Sequence, residues 1–138
     1  MKVKYFDMEL AFDFVSSQPR FTNEAFISKA TGEIYFVSAY GESDELPEDI
    51  EDADKYIALP HKNDLDLGIV LVREFVWQRI PDQVPQVERI FSRKGAYARF
   101  KDFLERLGLL EAWYRFEAAQ TESALKRWCA EQHIDFEE

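Results

Sequence analysis

The chain has 138 residues, of which 46% are hydrophobic and 15% aromatic, and it carries a formal net charge of −10. That length and apolar content fit one folded domain rather than a disordered chain. A globally acidic protein is repelled by nucleic acid and anionic membranes unless its positive charge is concentrated somewhere.

Residues 4–17 read as a helix, with Phe6, Leu10 and Phe14 at i, i+4, i+8 as its apolar stripe, widened by Ala11 and Val15. Ser16-Ser17-Gln18-Pro19 stops it, because the residue before proline disfavours helical geometry. Residues 24–38 read as a β-hairpin: Phe26-Ile27 and Ile34-Tyr35-Phe36-Val37 are β-formers, and Gly32 supplies the turn. Tyr56–Pro60 is expected to be a third strand, with Pro60 at its end or on an edge. Between them lies an acidic run, residues 42–54, with eight carboxylates and no basic residue. Its spacing lacks the pattern of a calcium loop, so it is read as a solvated loop or short helix.

The spacing predicts a central helix over 64–80, with stripes Leu65-Ile69-Val72-Val76 and Leu67-Leu71-Phe75 and a cap at Asn63 or Asp64. The β-branched content of residues 69–72 leaves a strand as the alternative, and length favours the helix. A short helix over 83–92 follows, with Asp82 as cap and Pro85 in the first turn. After Arg93-Lys94-Gly95 comes a helix over about 96–107, with Ala96, Phe100, Phe103, Leu104 and Leu107 on one side and Gly108 as its C-cap. The last large element covers residues 110–131, as one helix or as two with Thr121 capping the second. The tail from His133 to Glu138 is expected to fray.

The predicted architecture is α+β in a single domain: an N-terminal helix, a small antiparallel sheet of about three strands, then a C-terminal bundle of three to five helices. The β-containing part spans about 1–62 and the helical part about 63–132, followed by the acidic tail. Cys129 has no second cysteine to pair with, Met1–Asp7 lacks the build of a secretory leader, and no apolar run reaches the length of a bilayer span. The expectation is a cytoplasmic protein that does not enter membranes.

The most basic stretch of the chain lies between Arg89 and Arg106, where six of the 17 basic residues stand with two acids. Arg93, Lys94, Arg99 and Lys101 are the candidate anion or nucleic-acid contacts. Two short helices around a glycine turn have the outline of a helix-turn-helix, yet the second helix offers few side chains suited to base edges. The same residues can pair within the chain instead. Cys129 and His133 share a helical face if the helix persists, but two ligands do not make a zinc site, and His61 is the only other histidine. No serine elbow, zinc-protease helix or dinucleotide turn occurs. No catalytic, cofactor-binding or metal-ligating residue is assigned.

Gly95-Ala96-Tyr97-Ala98-Arg99-Phe100-Lys101-Asp102 resembles a motif of a bacterial family of unassigned role, uncharacterised protein family 0158. Trp113-Tyr114 and Trp128-Cys129-Ala130-Glu131-Gln132-His133-Ile134 carry the likeness further, with weaker echoes at Thr31-Gly32-Glu33 and Asp54–Pro60. Where that family often has Asn-Gly, this chain has Gln132-His133. The resemblance implies a small cytoplasmic domain and brings no reaction, ligand or catalytic residue. The reading favoured by the residues is a non-catalytic interaction or adaptor protein, whose partner is an unidentified protein or a second copy. The alternatives are regulatory nucleic-acid or anion binding through residues 89–106 and, last, an enzyme of unrecognised type.

Overall fold

A computed structural model describes residues 1–41 and 44–137. In chain order these form β1 (Lys2–Val3), α1 (Tyr5–Ser16), β2 (Asn23–Ser28), β3 (Ile34–Ser38), β4 (Tyr56–Ala58), α2 (Ile69–Arg79), α3 (Val84–Ile90), α4 (Ala96–Arg106), α5 (Leu110–Glu131) and β5 (Asp135–Phe136). The class is α+β, as the sequence predicts. The chain divides into two compact units, Met1–Leu65 with Leu125–Glu138, and Asp66–Ala124.

The first unit holds a three-stranded antiparallel sheet in the order β3-β2-β4. Ala25 and Ile27 of β2 are buried on one face, against which α1 packs. The face of α1 that is buried is rotated from the predicted one: Ala11 and Val15 are inside as expected, but with Met8 and Phe12, whereas Phe6 is 65% and Leu10 50% exposed. The helix is apolar on two sides, and 8-11-12-15 is as regular a stripe as 6-10-14. Ala11 brings little bulk to the buried side. Phe14 still reaches the sheet, meeting Phe36 edge to face at 5.3 Å.

The tail is paired, not frayed, through residue 137. β5 pairs in parallel with β1, Lys2 opposite Asp135 and Val3 opposite Phe136. The helix before it ends in a left-handed residue, His133 (φ 60°), with the Ile134 N–H bonded to the Cys129 carbonyl at 2.8 Å. These are the bonds that normally accompany a glycine C-cap. Ile134 is buried behind them.

The second unit is helical. Its core joins Leu71, Val72, Phe75 and Val76 of α2, Val87 of α3, Phe100 and Leu104 of α4, and Trp113 of α5. The predicted 64–80 helix starts late. Asp64 accepts the His61 N–H at 2.9 Å and closes a 3₁₀ turn over Lys62–Leu65. Asp66 then takes positive φ (57°), which no helix can run through, and α2 begins only after Gly68. Residues 69–72 are helical, which removes the strand alternative. Asp82 does not cap α3: residues Pro81–Gln83 form a 3₁₀ turn, and the N-cap is Gln83. Gly108 (φ 72°) ends α4 as predicted, with the Leu109 N–H on the Leu104 carbonyl at 2.8 Å. α5 is one helix through Thr121. Tyr114 and Ala118 on this helix are exposed, while Trp113 is buried.

Gly32 is required twice over. Its φ is 78°, and a Cβ there would lie 2.6 Å from the Lys2 carbonyl oxygen. Gly32→Ala should therefore destabilise the fold by about 1–3 kcal/mol, from strain and from displacement of β1. Gly41→Ala, where nothing lies within 4 Å, should stay within about 0.5 kcal/mol of the native chain. Urea unfolding of both variants checks this, and equal effects would contradict the geometry.

Candidate functional site

α3 ends at Ile90, and Gly95 (φ 73°) turns the chain into α4. Between them the loop carbonyls need donors, since the last carbonyls of a helix have no partner within it. Arg99 supplies them. Its guanidinium donates to the Lys94 carbonyl, and to the carbonyls of Ile90 and Arg93 at 3.0 Å each. Lys101 is also engaged, its Nζ lying 5.6 Å from the centre of the Tyr114 ring. The side chains of Arg93 and Lys94 are exposed and make no hydrogen bond or ion pair with the described residues. Thus two of the four candidate contacts face solvent and two are bound to the protein itself. The partners are carbonyls and a ring, not the acids that charge balance suggests.

A groove of about 360 Å³ lies between α2 and α3, with Val76, Val84, Val87 and Trp77 among its walls. Trp77 is 70% exposed. Along one edge Arg73 and Glu88 form a two-pronged ion pair, at 2.8 and 3.3 Å. The hydrogen-bonded guanidinium holds the Glu88 carboxyl below the usual carboxylate range. These charges satisfy each other, so the groove offers mainly apolar surface. The two apolar stripes read in the 64–80 helix do not reveal it. The signal was there: Trp77 belongs to neither apolar stripe of that helix.

Part of the acidic run is engaged within the protein; Glu42 lies outside the described residues. Asp49 takes the Lys55 ammonium at 2.9 Å and the Tyr56 hydroxyl at 3.1 Å, and the hydrogen bond from Lys55 lowers its pKa. Asp52 accepts the Asp54 N–H at 2.9 Å. Among the described residues no three His, Cys, Asp or Glu side chains gather as a metal site. No helix there is long and apolar enough to cross a membrane.

His61 is buried with both ring nitrogens in use: Nε2 lies 2.7 Å from the Gln18 carbonyl, and Nδ1 accepts the Asn63 N–H at 3.1 Å. With Nδ1 accepting, the proton is on Nε2. That pins the chain at 61–64 rather than offering a base. Cys129 and His133 do not form a thiol–base pair, because α5 stops at Glu131 and His133 turns away exposed. Burial pushes the Cys129 thiol up to about 11.

No family model, curated protein or solved structure matches this chain.

Arg99→Ala should cost about 1–2 kcal/mol, since three carbonyls lose a charged donor. Arg99→Lys should not restore it, because one ammonium cannot copy the fork. Arg93→Ala and Lys94→Ala should each change stability by less than about 0.5 kcal/mol. Thermal unfolding of the four variants distinguishes a stapling arginine from a merely basic one. For Cys129 the folded pKa lies above the unfolded one, so its contribution is complete below about pH 9 and is lost as pH rises toward about 11. The thiol should resist aromatic disulfide reagents at pH 8 until denaturant is added, and Cys129→Ala should flatten the alkaline loss of stability.

Proposed function

We propose that this protein is a non-catalytic interaction module and that it takes an apolar anchor side chain of a protein partner into the α2–α3 groove. The observation that carries the reading is Trp77, a large aromatic left 70% exposed beside an apolar groove. Buried tryptophans and their surrounding apolar pockets supply most of the energy at protein interfaces. Charge favours a protein occupant. The second unit holds nine basic and nine acidic residues, for a net charge of zero, and the groove-edge ions Arg73 and Glu88 are already paired. An uncharged anchor therefore enters without stranding a charge.

Membership of uncharacterised protein family 0158, cytoplasmic location and the absence of a catalytic role belong to the same proposal. His133 supports the family reading, since it holds positive φ where that family often has glycine. Nucleic-acid binding is the weaker alternative, because Arg99 and Lys101 are committed internally. It rests on Arg93 and Lys94 alone.

Peptide display against the intact protein tests the proposal. Selected peptides should share one bulky apolar residue, should alter Trp77 fluorescence, and should bind about 30-fold more weakly to Trp77→Ala. Val84→Glu should weaken them similarly, with its cost to stability read separately by thermal unfolding because Val84 also packs on the core. Peptides indifferent to both changes would defeat the groove reading. Salt-sensitive capture of DNA or RNA that vanishes in Arg93→Ala/Lys94→Ala would favour the alternative.

A further inference from the structure

A second cavity, of about 180 Å³, lies within the first unit where α1 ends, β2 begins and β4 stops. Val15, Ala25 and Leu59 give it an apolar lining. Arg20 and Asp64 of its wall pair at 2.7 Å, and the second Asp64 oxygen accepts the His61 N–H. The His61 ring is committed as well, to the Gln18 carbonyl and the Asn63 N–H. Glu24 alternates to the face of β2 opposite Asn23. The charges of the wall are therefore paired or turned away.

Asn23 is the exception. It is buried, and its Nδ2 donates to the Phe14 carbonyl at 3.1 Å and to the Ser17 hydroxyl at 3.4 Å. The Phe14 carbonyl can only accept, which fixes the orientation of the amide. Neither Phe14 nor Ser17 lines the cavity, so Nδ2 points away from it. The other arm, Oδ1, is buried with no hydrogen-bond donor among the described residues. Native proteins leave few buried acceptors in that condition. Phe21 is the second anomaly on the same wall. It is 84% exposed and holds φ at 68°, a region that bulky side chains avoid. Backbone strain of this kind concentrates at ligand clamps.

We propose that this cavity binds a small neutral aromatic molecule with one O–H or N–H donor, such as a phenol or an indole. Asn23 Oδ1 is the acceptor and Phe21 the ring at the mouth. Size argues for a compact molecule, since drug-sized ligands take roughly 300 Å³ or more. The Arg20–Asp64 pair argues against an ion, because the two side chains already neutralise each other. The orphan acceptor argues for a donor rather than a plain hydrocarbon. The exposed Phe21 ring favours an aromatic body over an aliphatic one. The donor half of Asn23 holds the end of α1, which leaves its acceptor half free for a ligand. The proposal concerns the first unit and does not rest on the groove at Trp77.

Titration of the full chain, followed by amide NMR, tests it without a variant. Phenol and indole, at up to about 5 mM, should shift the Asn23 side-chain amide and the signals of residues 20–25 and 58–64, and leave the Trp77 indole N–H unmoved. Toluene carries a methyl in place of the phenol hydroxyl, and a purely apolar cavity would prefer it. It should bind at least about tenfold more weakly than phenol. Toluene binding as well as phenol would overturn the proposal. So would shifts confined to the surroundings of Trp77, or no shifts at all. A tyrosine side chain has the same chemistry as phenol, and N-acetyltyrosinamide should bind at least about tenfold more weakly. Equal binding would hand the cavity to a protein partner and overturn the small-molecule reading. Phe21→Gly removes the ring and relieves the positive φ. Its melting temperature should not fall, while phenol affinity drops about tenfold. A variant that melts lower and binds phenol as the native chain does would contradict the assignment of Phe21.

Discussion

The second unit depends on the packing of one ring. Trp113 is 1% exposed and meets Phe75 and Phe100 nearly edge to face, at 5.3 and 5.2 Å. Those three rings come from α5, α2 and α4, so a single contact set fixes three helices against one another. Aromatic pairs in this geometry gain about 0.5–1.5 kcal/mol beyond their buried area. The arrangement has a cost. The Trp113 indole N–H is buried with no hydrogen-bond acceptor among the described residues. With these helices fixed, α3 can rest on α2 through Val87, and the groove beside Trp77 takes its shape.

Charge is partitioned as sharply as packing. All of the formal −10 belongs to the first unit, with eight basic and eighteen acidic residues, while the second is neutral. The physical division of labour is clear: one unit repels its own kind and anionic polymers, and the other presents apolar surface without a net field.

What the sequence made legible was local chemistry. Gly32, Gly95 and Gly108 mark turns at which the backbone takes positive φ, and α3, α4 and the hairpin follow from them. What escaped was set by distant partners. Nothing local to Asp135-Phe136 announces a strand, because its partner is at the other end of the chain. Both faces of α1 are apolar, and only the sheet decides which is covered. The candidate site shows the same limit. Composition located the basic cluster, but not the direction of the Arg99 guanidinium, which bends back onto the carbonyls behind it. Trp77 was visible as the aromatic that fits no stripe, and periodicity treats such a residue as noise.

The β1–β5 pair has a mechanical meaning. Because the strands run parallel, tension applied to the start of β1 and the end of β5 pulls them along each other. The Asp135 N–H to Met1 carbonyl bond and the Glu137 N–H to Val3 carbonyl bond, at 3.1 and 2.8 Å, are then loaded together in shear rather than opened one after the other. A clasp of two residues per strand gains resistance from this orientation that its length alone would not supply. The first unit is held shut in the direction in which a segment attached at either end would pull.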